Sequence, residues 1–365
     1  MGFVAHGQCP LRKEWHSPSL GACTPSIHSR GQNTPGARIS MSLLFRPLRI
    51  AALISLTVLV SACAPKSYLV KTPSPSGLNG TTANSVPAKL SVVDQRKGAE
   101  RDFSTGILPA GLSTSSGPIQ PASFLAETLQ AELNSRGLAV KVSSEAADQS
   151  LQLQTFRMVN HRTSGFSPFI TFTYLSADVD TPSGKKRVAA FVKRGKVPVW
   201  SFDEVIEPTL NEPLSLAVKE LASKIAAKSY GWRASDKQLD ALLAKLDKPK
   251  LEGPDYLDVY ALGFSNHPRA IERVTQLSQH ADEYVRLAAI SSLGTLGANQ
   301  QFNFLKGLYE RREGSWQDRA MAIKAIGDLD TAESREFLAA QAKRWESAGS
   351  DKESLWTLQI IRLYL

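Results

Sequence analysis

Two nine-residue stretches of this chain superimpose. Arg286–Gly294 reads RLAAISSLG and Arg319–Gly327 reads RAMAIKAIG, so an Arg, an Ala three positions on, an aliphatic residue and a closing Gly recur together. A weaker copy ends in Leu262-Gly263, and the three glycines stand 31 and 33 residues apart. That period is the length of a helix pair, and a helix pair carries an apolar face that it buries only against a neighbour. The C-terminal third is therefore expected to be a stack of helix pairs with Leu293 and Ile326 in its core. Ala289 and Ala322 are expected to be small because a facing helix approaches. Gly294 and Gly327 are expected in the left-handed conformation that ends a helix.

Helical periodicity begins earlier, at Ser235. Leu239, Leu242, Leu243 and Leu246 form one stripe, and Pro249 to Pro254 interrupt it, so residues 231–254 read as a helix and linker before a repeat domain at 255–365. Upstream, residues 88–230 carry strand signals. Lys89–Asp94, Leu138–Val142, Leu151–Val159, Phe169–Val179, Arg187–Lys193 and Val197–Val205 are expected strands, with a turn at Pro182-Ser183-Gly184. Helices are expected over Pro121–Arg136 and about Pro213–Tyr230. Many strands with only two helices predict an α+β fold: a mainly antiparallel sheet with both helices packed on one face, followed by an all-α solenoid.

The N-terminal segment bears on location. Ile50–Val60 is an apolar run preceded by Arg46 and Arg49. A spanning helix needs about 20 apolar residues, so this run has the layout of a cleaved signal peptide, placed at 41–62 with Met41 as the expected start. Residues 1–40, rich in Gly, Ser and Pro, are expected to be a mis-assigned upstream start. Val60-Ser61-Ala62-Cys63 resembles a bacterial lipobox, which implies cleavage between Ala62 and Cys63 and lipid on Cys63. Cys9 and Cys23 lie in the leader, so Cys63 would remain the single thiol and no disulfide would form. Residues 63–87, with Pro65, Pro73, Pro75, Gly77, Gly80 and Pro87, are expected to be a flexible tether.

The formal charge of +9 misleads. Residues 1–62 hold six Lys or Arg and one Glu, which leaves 37 basic and 33 acidic residues after them. An excess of four gives no electrostatic footprint for nucleic acid, and none is expected as a partner.

Several short motifs carry family resemblances. The strand ending in Asp94-Gln95-Arg96, the helix containing Phe124-Leu125-Ala126-Glu127-Thr128-Leu129 before Ser135-Arg136-Gly137, and the Leu151-Gln152-Leu153 strand resemble the YajG-type family of outer-membrane lipoproteins over about 88–230. The repeats, with Asp282 before Val285-Arg286 and Asp318 before Arg319, resemble short HEAT-like repeats over about 255–365. The first resemblance implies an envelope lipoprotein domain without established chemistry. The second implies a surface that binds proteins. Ala64 after the lipidated cysteine is similar to outer-membrane lipoproteins, whereas Asp there would imply inner-membrane retention. Asp282, Arg286, Asp318 and Arg319 are expected to cap and link neighbouring helices.

No catalytic constellation emerges. His161, His267 and His280 are far apart and lack the spacing of a zinc site, and no nucleophile elbow, phosphate loop or dinucleotide fingerprint occurs. No catalytic residue, metal or cofactor is expected, and the chain is not expected to be an enzyme. Two surfaces are candidates. Lys185, Lys186 and Arg187 with Lys193, Arg194 and Lys196 form a basic cluster that would attract lipid phosphates or merely protect an edge strand. Gln300, Asn303 and Lys306 would lie on the solenoid's inner face as a partner surface. The expectation is an outer-membrane lipoprotein facing the periplasm, held by its N-terminal lipid and binding a protein through its helical repeats. The alternative is an auxiliary subunit of an envelope transport or lipid-handling machine.

Overall fold

The computed structural model describes residues 67–365 except 85, 87–88, 108–110, 148, 165, 198–200, 202 and 349–350. The expected leader, Ala62 and Cys63 lie outside the described residues. The first part runs β1 (Ser67–Leu69), β2 (Gly80–Thr81), β3 (Lys89–Asp94), β4 (Ser104–Gly106), β5 (Gly111–Thr114), β6 (Gly117–Pro118), α1 (Pro121–Ser135), β7 (Lys141–Ser143), β8 (Gln149–His161), β9 (Phe169–Thr181) and β10 (Gly184–Lys196). The main sheet has the order β10-β9-β8-β3-β7, with β4 also paired to β8.

The long strands β8, β9 and β10 are antiparallel, and Gly184 at φ +96° receives the tight turn between the last two. The other pairings, β3–β8, β3–β7 and β4–β8, are parallel. The sheet is therefore mixed, antiparallel along its three long strands and parallel where the short strands join it. The cause is α1, which carries the chain from β3 back to a parallel neighbour, a connection that a hairpin cannot make.

Two other expectations fail locally. The expected strand ending at Val205 is helical there: Asp203–Ile206 form a helical turn that passes through a π-helical stretch, Glu207–Asn211, into α2 (Glu212–Tyr230). Asp203 and Glu204 occupy the first turn, where carboxylates suit the helix dipole, and Glu204 accepts from Ser201 N at 3.1 Å. The expected tether is packed over its described part. Val70 and Leu78 are buried, β1 pairs with β5, and Ser76 donates through N and Oγ to Glu132 at 2.7 and 2.5 Å. Lys71 N donates to Asn211 Oδ1 at 2.9 Å. An irregular Pro- and Ser-rich backbone becomes ordered when distant side chains satisfy its hydrogen bonds, which local composition does not reveal.

After β11 (Arg233–Ala234) the chain is helical: α3 (Asp236–Leu246), α4 (Asp255–Gly263), α5 (Ala270–Leu277), α6 (Glu283–Thr295), α7 (Phe302–Glu310), α8 (Trp316–Leu329), α9 (Ala332–Ser347) and α10 (Lys352–Arg362). A mixed sheet followed by stacked helices is thus the architecture. Helices α4, α6, α8 and α10 stack in one row, and α5, α7 and α9 lie outside it.

The repeated glycines hold this row together. Gly294 and Gly327 are not in the expected left-handed conformation; all three glycines are helical and lie in the last turns of α4, α6 and α8. A Cβ on Gly263 would come within 2.3 Å of Ser292 Oγ, one on Gly294 within 2.6 Å of Ala325 Cα, and one on Gly327 within 2.5 Å of the Tyr364 ring. The glycines repeat because a neighbour presses close there: the next helix of the row for Gly263 and Gly294, and the Tyr364 ring just beyond α10 for Gly327. Left-handed residues fall a little later, at Gly297 (φ +64°) and Asp330 (φ +54°). The charged positions repeat as well. Asp282 caps α6 through Tyr284 N and Val285 N, Arg286 Nε donates to Asp318 at 3.0 Å, and Arg319 Nε donates to Glu353 at 2.8 Å. Asp318 is not itself a cap, because Ser315 fills that position for α8.

Candidate functional site

The even-numbered row does not face solvent; it is pressed against α2 and the sheet. The centre of that seam is a closed quartet of charges. On α2, Glu220 and Lys224 are one turn apart, and on α8 so are Lys324 and Asp328, which places each pair on one helix face. Lys224 Nζ lies 2.5 Å from Glu220 and 2.5 Å from Asp328, and Lys324 Nζ lies 2.7 Å from Asp328 and also contacts Glu220. All four are buried. Further bonds complete the ammonium shells: Lys224 donates to Ala189 O of β10 at 2.5 Å, and Lys324 to Ser291 Oγ of α6 at 2.8 Å. Tyr364 Oη donates to Asp328 at 2.9 Å, so the C-terminus closes the ring.

Two positive and two negative charges cancel here. Burial works against the Lys324 charge, yet Asp328 and Glu220 outweigh it and hold this ammonium above its usual range. Burial lowers Lys224, opposed by Asp328 and Glu220. Burial would raise Asp328, but Lys224 and Lys324 keep its carboxyl below the ordinary value. Every charge is engaged by a neighbour of opposite sign, and the arrangement is a fastening rather than a catalytic dyad.

Two more fastenings flank it. Arg194 of β10 donates to Glu212 and Tyr256 Oη, each at 2.7 Å, with its guanidinium 4.3 and 4.1 Å from the Tyr256 and Tyr284 ring centres. Arg136, at the end of α1, pairs with Glu132 at 2.8 Å, donates to Phe264 O after α4 at 2.9 Å and lies 4.7 Å from the Trp232 ring centre. Between strands and helices, Phe172 of β9 contacts Trp316 of α8 and Trp356 of α10, with centroids 5.6 and 4.9 Å apart.

The expected basic cluster is dispersed by this geometry. Lys193 and Arg194 are buried in the seam, with Lys193 2.8 Å from Glu283, so neither is available to a lipid surface. They point inward because the end of β10 is covered by α4 and α6. At the other end, roughly 27 Å away at ~3.4 Å per strand residue, Arg187 pairs with Asp178 at 2.5 Å and Lys186 lies 3.8 Å from Asp330. Only Lys185 and Lys196 are exposed. On the helical side, Gln300 and Asn303 are exposed. Lys306 is half-buried with Nζ 5.6 Å from the Phe337 ring centre. Asn303 and Lys306 lie on the outer helix α7 and Gln300 in the short turn before it, not on an inner concave face, because the chain's own sheet and α2 cover the even-numbered row. Asp94, which ends β3, pairs with Arg96 at 2.9 Å.

A cavity lies at the edge of the seam, where the β8–β9 loop meets α10. It measures about 440 Å³ and is lined by His161, Arg162, Ile107, Ile170, Lys352 and Trp356 among others. The His161 ring lies 5.2 Å from Phe172 and 5.0 Å from Trp356, and burial, reinforced by Lys352, holds its pKa below the usual imidazole range. Sequence reasoning treated His161 as solitary because its neighbours on α10 are nearly 200 positions away. His267 instead lies 3.2 Å from Asp236, and His280 accepts from Asp282 N at 3.1 Å. Among the described residues, no group of His, Cys, Asp or Glu could hold a metal ion, and no helix is long and apolar enough to cross a membrane. Comparison with protein-family models and with curated proteins found no match for this chain.

Proposed function

We propose that the chain is a lipid-anchored outer-membrane lipoprotein facing the periplasm, whose YajG-type sheet region carries a HEAT-like helical stack that binds a protein. It performs no catalytic step. The observation that supports a scaffold is the two-sided packing of the helical stack. Its even-numbered row is fastened by buried charges to α2 and β10, which fixes the outer row α5, α7 and α9 in one orientation. A rigid, polar outer row displaying Gln300 and Asn303 is suited to holding a partner without rearranging. The anchor rests on Val60-Ser61-Ala62-Cys63.

Both halves are testable in cells. A photo-crosslinking side chain at Asn303 is expected to give a discrete protein adduct, and the same group at Lys185 on the β9–β10 turn is expected to give none. Equal labelling at both positions, or none at Asn303, would remove the scaffold. Cys63→Ser is expected to abolish lipid attachment and leave unprocessed precursor; normal membrane fractionation with a normal mature mass would remove the anchor.

A further inference from the structure

We infer that a small cavity between the Lys71–Ser74 segment, α2 and α4 binds a short-chain monocarboxylate, with its head on Lys219. The first observation concerns that lysine. Among the described residues, every other lysine that is not exposed meets a carboxylate or an aromatic ring. Lys193 meets Glu283, Lys224 and Lys324 meet Glu220 and Asp328, Lys186 and Lys228 meet Asp330, and Lys306 lies over Phe337. Lys219 is half-buried and makes no ion pair or hydrogen bond among these residues. Burial holds its pKa below the usual lysine range, while Glu132 and Arg136 act on it in opposite senses. An ammonium taken out of water without a counter-charge is unfavourable, and a bound anion relieves it.

The second observation is the cavity that Lys219 lines, which measures about 210 Å³. Glu212, Ser215, Leu216 and Lys219 follow the i, i+3, i+4, i+7 spacing, so one face of α2 lines it. Pro73 of the N-terminal segment and Leu257 of α4 add apolar wall. That segment is fastened on either side of Pro73, by Lys71 N on Asn211 and by Ser76 on Glu132. The volume equals roughly seven waters at ~30 Å³ each, which admits a head group and a few carbons. Charge narrows the choice further. Glu212 is held by Arg194 and Tyr256, and Glu207 by Lys71 and Asn211, so the carboxylates of the lining are matched and Lys219 leaves one positive charge over. A second negative charge on the ligand would meet Glu207 and Glu212, which disfavours phosphate and dicarboxylates. Ser215, one turn before Lys219, offers its hydroxyl to the same head, and the alkyl chain lies against Leu216, Leu257 and Pro73.

This inference does not depend on the scaffold, and its failure leaves the scaffold intact. The test is equilibrium binding of butyrate, 1-butanol, succinate and inorganic phosphate to the full chain, followed by ligand-observed NMR. Saturable binding is expected for butyrate. The other three are each expected to bind at least tenfold more weakly. Lys219→Met, which keeps the apolar stem, is expected to weaken butyrate binding tenfold or more. Its unfolding midpoint should stay unchanged or rise, because the ammonium has no partner to lose. Leu257→Glu, at an exposed position on the cavity rim, is expected to weaken binding to a similar extent with an unchanged midpoint. No saturable binding of butyrate, equal affinity for 1-butanol, succinate or phosphate, or unchanged affinity in either variant would each overturn the assignment.

Discussion

Helices α8 and α9 are consecutive, similar in length and opposite in character. Helix α8 buries ten residues in a row, Ala320 to Leu329, including Lys324 and Asp328. Helix α9 buries only Ser334, Leu338 and Ala342, one per turn. The outer helix is an ordinary amphipathic element whose exposed face is open to water. The inner helix has no such face, because α6 and α10 flank it, α9 backs it, and α2 with β10 covers the remaining side. On an outer helix a charge marks solvent. On the inner row it marks the contact with the sheet.

The largest test of that contrast is Glu220→Ala. It leaves two buried ammoniums to share one carboxylate, and breaking a buried pair in this way typically costs about 3–5 kcal/mol. The expected result is a large drop in the urea midpoint, whereas Glu336→Ala on exposed α9 should stay within about 0.5 kcal/mol. If the two variants unfold alike, the quartet does not fasten the layers.

Glycine substitutions sharpen the comparison next. Gly294→Ala would drive a methyl into Ala325 of α8 and should cost about 1–3 kcal/mol. Gly307→Ala lies in α7, where a Cβ meets nothing within 4 Å, and should gain up to about 1 kcal/mol. Thermal melts that shift in the same direction for both would show that the inner row is not glycine-limited.

Acid provides a graded test. Asp328 is held below its ordinary value of 3.8, so its contribution is complete above that pH and disappears as pH falls through the lower folded value. Lys324 is displaced upward, and its contribution is lost only as pH rises beyond the usual lysine range. The unfolding midpoint should therefore decline on the acid side below about pH 4. Asp328→Asn should flatten that limb; an unchanged acid slope would sever the link to the quartet. The smallest effect is expected at the partly exposed ladder, where Arg286→Ala should cost about 0–1 kcal/mol despite its 3.0 Å bond to Asp318. A larger loss by urea titration would mean that the ladder, rather than the glycine contacts, sets the stacking.

Much of the local structure was legible. Strand β3 and the cores of β8, β9 and β10 follow from alternation and β-branched residues, and α1 and α2 follow from their periodicity. The repeat unit followed from recurring residues, as did a helix-linking role for Arg286 and Arg319, though not their partners Asp318 and Glu353. The candidate cavity was not legible, because His161 and Lys352 meet only after the chain has folded back through the whole helical stack. Residues 67–84 were misjudged for the same reason, since Glu132 and Asn211 supply the partners that order them.

By itself the sequence determined the long strands, most of the helices and that helix pairs repeat, because these depend on side-chain periods within a few turns. Only the tertiary structure decided what the repeated glycines do, which strands run parallel, and that Lys193, Arg194 and Lys324 are buried. Those outcomes depend on which layer covers a given face. A helix covered on every side has lost the polar stripe by which a sequence announces its orientation, and the charges it keeps are matched by residues a hundred positions away.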